Sequence, residues 1–169
     1  VSHTQEQSLD KYVNLIKNAK AELSIPVIAS VNCVSASQWI SFAGKMEQAG
    51  ADGVELNMFI LPSDVNLTTD DVERFYEDVI QSMKRALSIP ISIKISSYFS
   101  SLARFAQKIS WMGISNLHVF NRFAGQDINI DKMSVEPSNV FSSPSDLPNV
   151  IRWTAILSNI VHCPLTAGG

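Results

Sequence analysis

The chain has 169 residues, 46% hydrophobic and 17% charged, a balance that suits one compact domain. Its formal net charge of −3 leaves no basic footprint and argues against nucleic acid as a partner. Asn, Ser, Lys or Pro breaks every apolar run before membrane-spanning length, and no signal peptide is visible at the start.

Cys33 and Cys163 make no metal-ligand spacing with the three histidines, so free thiols and a cytoplasmic setting are expected. The chain begins at Val1 and stops at a Gly-Gly directly after a predicted strand. That is the pattern expected of a piece of a larger protein.

Helical stripes and β-rich runs alternate along the chain. Leu9, Tyr12, Val13, Ile16 and Leu23 recur at helical spacing, followed by the run "IPVIASVN" at 25–32. Trp39, Phe42, Ala43 and Met46 form the next stripe, ahead of "GVELNMF" at 53–59. Val72, Phe75, Tyr76, Val79 and Met83 make a third stripe, opened by a capping box in which Thr68 precedes Asp71 by three residues. "IPISIKIS" at 89–96 leads to Leu102, Phe105, Ala106 and Ile109, and "SNLHVFN" at 115–121 follows. A fifth stripe, Val150, Trp153, Thr154 and Leu157, precedes "CPLTA" at 163–167.

Strands alternating with helices read as βα units on a parallel sheet. Pro26 and Pro90 enter strands 64 residues apart, and Asn57 and Asn121 end strands 64 residues apart. One unit is therefore about half that spacing, the roughly thirty residues of a βαβ motif. Eight such units need about 250 residues, so the expected fold is α/β, a partial (β/α)8 TIM barrel of about five units. A doubly wound open sheet is the competing architecture, but no G-x-G-x-x-G follows a strand.

Strand parity assigns faces. Ser30 and Asn32 oppose Val27, Ala29 and Val31; Glu55 and Asn57 oppose Val54 and Leu56; Ser92 and Lys94 oppose Ile91, Ile93 and Ile95. The apolar sets must meet the helices, which turns the polar sets into the barrel. Glu55 and Lys94 are expected to pair with each other or with a ligand, because an isolated buried charge is costly. Glu55 lies deeper and is read as part of a filling polar network. Asn57 and Lys94 lie near the carboxyl ends, where barrel sites are built. Asn121 is placed by its position at a strand end, since His118 mixes with Leu117 and Val119 in its strand. His118 is read as a hydrogen-bonded core histidine.

The segments "IPVIASVNCVSASQWISFAGKMEQAGADGVELNMFILPSD", "PISIKISSYFSSLARFAQKI" and "VFNRF" resemble the dihydroorotate dehydrogenase family, nearest to its bacterial dihydroorotate dehydrogenase-like branch. The resemblance implies that residues 1–169 form a single incomplete FMN-binding domain, corresponding to about the third through seventh barrel strands. It implies FMN as cofactor, with Ser30 near the flavin, Asn57 at the flavin and substrate face, Lys94 on the isoalloxazine and Phe120 beside it. Asn121 would hydrogen-bond a pyrimidine-like substrate. Gly168 and Gly169 match a phosphate-binding turn, with Ser142 and Ser143 aligned loosely to the neighbouring phosphate loop. A cation at Lys94 suits the negative charge of a reduced flavin, and two amides suit a planar ligand edge.

One departure stands out. The family's proton-accepting Cys or Ser lies in the loop after the "ELN" strand, where this chain reads "MFILPSD". Ile60 or Leu61 occupies that position, and neither accepts a proton. Ser63 and Asp64 follow at unsuitable spacing, and Cys33 sits after a different strand, so the catalytic base is unassigned. The long segment from Arg122 to Pro148 contains "DINIDKM", a hairpin candidate in a lid, a substrate wall or a subunit contact.

The leading expectation is an FMN-dependent oxidoreductase of pyrimidine metabolism, moving a hydride from a dihydropyrimidine-like small molecule to flavin, with a homodimer left open. The alternatives are a non-catalytic flavin- or ligand-binding barrel and a Schiff-base aldolase-like barrel using Lys94.

Overall fold

The computed structural model describes residues 2–33, 36–122, 125–138 and 141–168. In chain order the elements are α1 (Ser2–Glu22), β1 (Ile28–Val31), α2 (Ala36–Gln48), β2 (Gly53–Asn57), α3 (Thr69–Ala86) and β3 (Ile91–Ile95). Then come α4 (Leu102–Ser110), β4 (Asn116–Val119), β5 (Gln126–Asn129), β6 (Ser134–Pro137), α5 (Leu147–Leu157) and β7 (Leu165–Ala167).

Five strands form one parallel sheet in the order β1-β2-β3-β4-β7. That order never reverses, as it would at the switch point of a doubly wound sheet. The architecture is therefore a part of a (β/α)8 barrel.

Apart from half-buried Val27, the apolar positions read by parity are the buried ones. Ala29, Val54, Leu56, Ile93, Ile95, Leu117 and Val119 are fully or almost fully buried beneath the helices, together with Trp39, Met46, Tyr76, Phe105 and Ile109. The helical stripes supply the other half of this layer. Leu23 is the exception at 49% exposure, because α1 ends at Glu22 and turns it outward. The capping box is present: the Asp71 N–H donates to Thr68 Oγ1 at 3.2 Å, and the Thr68 N–H donates to Asp71 Oδ2 at 3.0 Å.

Gly50 and Gly113, each leading from a helix into a strand, have φ of +94° and +77°, where a side chain would be strained. The doubled period thus repeats the same helix exit twice.

Two features fix the loops at the carboxyl ends of β2 and β3. The Tyr76 hydroxyl, fully buried, donates to the Met58 carbonyl at 2.8 Å. The Tyr76 ring also meets Phe99 and Phe105 edge-on, with centroids at 5.5 and 5.3 Å, while Phe99 stacks on Phe105 at 4.4 Å. The hairpin candidate spans β5 and β6, with Ile128 opposite Val135 and the tip of "DINIDKM" in the turn between them. Ile128, Met133 and Val135 point to solvent.

Candidate functional site

Register places the polar face in two rows. Ser30, Glu55, Ser92 and Asn116 are aligned across β1 to β4. One step nearer the carboxyl ends, Asn57, Lys94, His118 and Thr166 are aligned across β2, β3, β4 and β7. Each row lies on the face opposite the helices, so the side chains converge without any loop having to carry them.

The rows are joined by hydrogen bonds. Ser30 Oγ donates to Glu55 Oε1 at 3.1 Å, and His118 Nδ1 lies 2.8 Å from Glu55 Oε2. Lys94 Nζ stands 3.9 Å from Glu55 Oε1. Asn116 Nδ2 donates to Ser92 Oγ at 2.9 Å, and Thr166 Oγ1 donates to Asn116 Oδ1 at 3.1 Å.

The carboxyl of Glu55 is held below its ordinary range, first by the hydrogen bond to His118, against the opposing effect of burial. Lys94, the Ser30 hydroxyl and, when protonated on both nitrogens, the His118 ring pull in the same direction. Glu55 is therefore an ionised acceptor at neutral pH, and the hydrogen between it and His118 resides on Nδ1.

At the mouth, Asn121 Nδ2 donates to Asn57 Oδ1, over the top of β3. The backbone N–H of Asn121 donates to the Ile95 carbonyl at 2.8 Å, and its Oδ1 accepts from the Arg122 N–H at 2.9 Å. Asn121 is thus fixed by three separate bonds. Beside it lies a cavity of about 220 Å³, bordered by Ser97, Tyr98, Asn121, Arg122, Asn149 and Gly168.

The structure brings Asn57, Lys94 and Asn121 together and sets Ser30 one row deeper, on Glu55. Phe120 is only 4% exposed and meets Trp153 of α5 edge-on at 6.5 Å, and it also borders the mouth cavity beside Asn121. Gly168 donates its N–H to the Val119 carbonyl at 2.8 Å, so that donor is already engaged. Gly169 lies outside the described residues. Ser142 and Ser143 border a cavity with Asp146, whose carboxylate accepts from the Ser143 N–H at 2.8 Å and faces Arg122 at 3.2 Å.

None of the other acceptor candidates faces the Asn57–Lys94–His118 row as a ready base. Burial pushes the Cys33 thiol up to about 11, so it stays protonated at neutral pH. Asp64 accepts from the Asn66 N–H at 2.9 Å in an exposed turn, and Ile60 packs on the core. Sequence reasoning reads His118 as a hydrogen-bonded core histidine, and its Nδ1 does meet Glu55 at 2.8 Å. Its strand alternates cleanly, with Asn116 and His118 half-buried on the polar face and Leu117 and Val119 fully buried on the other.

No family model matches the chain. The catalytic subunit of dihydroorotate dehydrogenase B (NAD(+)) from Bacillus cereus is 23% identical over 176 residues, taking in 98% of this chain and 55% of the relative. The corresponding subunit from Thermoplasma acidophilum is 29% identical over 100 residues, 59% of this chain and 33% of the relative. The chain spans about half or less of the length of such relatives.

Among solved structures, a dihydrodipicolinate synthase from Bacillus clausii covers 99% of this chain and 53% of its own, at a TM-score of 0.53 and 17% identity. A phosphonopyruvate hydrolase covers 95% of this chain and 60% of its own, at 0.57 and 12%. At these identities the likeness is one of fold. The structural neighbours are barrels of the dihydrodipicolinate synthase kind, and the sequence relatives are distant and partial. Together they overturn the assignment to the dihydroorotate dehydrogenase family that the short motifs suggested. What the chain shares with these solved structures is the parallel βα barrel fold, of which it holds five strands.

Proposed function

We propose that the chain contributes the ligand-binding mouth of a barrel oxidoreductase that uses FMN and a dihydropyrimidine-like hydride donor. The observation that carries this reading is the pairing of Lys94 with Glu55 beside the Asn57–Asn121 amides. A fixed cation flanked by two amides suits a planar heterocycle that presents donors and acceptors and gains negative charge.

FMN fits this donor set at its ring. Lys94 would face the ring edge that becomes anionic, and Asn57 and Asn121 would orient the ring and the substrate. The bound flavin supplies an acceptor for a hydride. This chain's own groups bind, orient and hold charge. The Gly168 N–H, committed to Val119, is not free to serve a phosphate, so that contact would fall to other groups.

A Schiff-base lysine must act as the neutral amine. The Glu55 carboxylate stands 3.9 Å from Nζ, an ion-pair geometry that suits the electrostatic role preferred here.

Purified full-length protein is expected to be yellow and to bleach on reduction, and Lys94→Met to weaken FMN retention. A colourless protein that cannot be reconstituted with FMN removes the reading. A yellow protein that no reduced substrate bleaches leaves a binding module instead. A covalent adduct at Lys94 after borohydride treatment with a carbonyl substrate transfers the case to Schiff-base chemistry.

A further inference from the structure

We infer that His118 Nε2 is the proton-accepting atom of this site and that Glu55 is its positioning residue. The inference rests on the reading that a ligand occupies the mouth.

The imidazole spans two levels of the polar face. Nδ1 reaches back toward the deeper row, to Glu55 at 2.8 Å. With Glu55 ionised, a neutral ring carries its hydrogen on Nδ1 and keeps a lone pair on Nε2. That nitrogen has no hydrogen-bond partner among the described residues. It lies against Gly168, one step nearer the mouth than its register partner Thr166. A Cβ on Gly168 would collide with Nε2; Gly168 borders the mouth cavity beside Asn121, while His118 lines an inner cavity of about 370 Å³ with Glu55, Ser92, Asn116 and Thr166. The missing side chain is what gives the nitrogen its place against Gly168, at the level of its register partner Lys94.

Lys94 is the register partner of His118 on the neighbouring strand. The two supply the halves of one reaction. A C–H bond next to a carbonyl breaks, and the proton forms an N–H bond at Nε2. The electron pair stays on carbon and spreads onto the carbonyl oxygen, toward the positive charge of Lys94. The imidazolium so formed is held by the Glu55 carboxylate. Reversal returns the proton, so the step needs no oxidant.

The test uses full-length protein and 5,6-dihydrouracil in D2O, following loss of the C5 proton signal by NMR. Wild type is expected to exchange these protons, His118→Gln to slow exchange by about 10²-fold or more, and Glu55→Gln to slow it while the fold is retained. Nitrogen NMR of the wild type reports the tautomer independently of any variant, and the Nδ1–H form is expected. Absence of exchange in wild type, an unchanged rate in His118→Gln, or an Nε2–H tautomer overturns the assignment. Flavin absorbance is read separately. A colourless protein that exchanges deuterium retains the proton centre and loses FMN, whereas a yellow protein without exchange does the reverse.

Discussion

Asn121 donates from Nδ2 to Oδ1 of Asn57 across 64 residues, although β3 separates their strands. The bond ties the second strand to the fourth at the carboxyl edge, above Lys94. Each single substitution to alanine removes the same interaction, so their effects on stability should not add. A double-mutant cycle by urea unfolding should return a coupling of about 0.5–1.5 kcal/mol. Strictly additive losses would mean that the bond contributes nothing in solution.

Glu55 is one of the carboxylates that tie stability to acid pH, and the one inside the site. Its folded pKa lies below the ordinary value of 4.5, chiefly through His118. A depressed carboxyl contributes stability that is fully present above the unfolded value and is lost as pH falls through the folded one. Wild type should therefore lose more stability than Glu55→Gln as the pH drops below about 4.5. Urea midpoints measured across that window check the sign, and parallel pH profiles for the two proteins would contradict it.

Tyr76→Phe isolates one hydroxyl. The ring cluster with Phe99 and Phe105 survives, but the Met58 carbonyl loses its buried donor. The expected cost is about 1–3 kcal/mol, the price of an unsatisfied buried acceptor. The β2–α3 loop should also exchange its amide hydrogens faster. If neither the urea midpoint nor exchange in residues 58–62 changes, Tyr76 does not anchor the loop.

These relationships differ in how far the residues alone reveal them. The helix layer is legible because Val72, Tyr76, Val79 and Met83 recur at helical spacing, and the structure buries all four. The inner face is legible for the same reason at period two. His118 was within reach: Asn116 to Val119 alternates, and only Phe120 and Asn121, beyond the end of the strand, depart from that parity.

Register was not within reach. That Lys94 aligns with His118, rather than with Asn116 or Phe120, depends on loop lengths and crossovers that no local pattern encodes. Nor does parity show that Asn121 reaches over β3 to Asn57. The family assignment failed for a related reason. E-L-N, I-K and F-N are polar residues at strand ends, which many βα barrels use to line a mouth, so they report the architecture more reliably than the lineage.

Gly168 can be read as a glycine that serves a ligand or as one that makes room for a neighbour, and the two readings predict different measurements. Its N–H is bonded to Val119 and its carbonyl accepts from the Phe120 N–H at 3.0 Å, so the backbone is fixed on both sides. An added methyl would meet the His118 ring at Nε2, Cε1 and Cδ2. The ring cannot retreat without lengthening its bond to Glu55. Gly168→Ala should therefore cost about 1–3 kcal/mol, the usual range for overpacking. In a His118→Ala background the clash is gone, and the same substitution should be nearly neutral. Equal costs in both backgrounds, by urea unfolding of all four proteins, would show that the glycine is required for a reason other than the imidazole beside it.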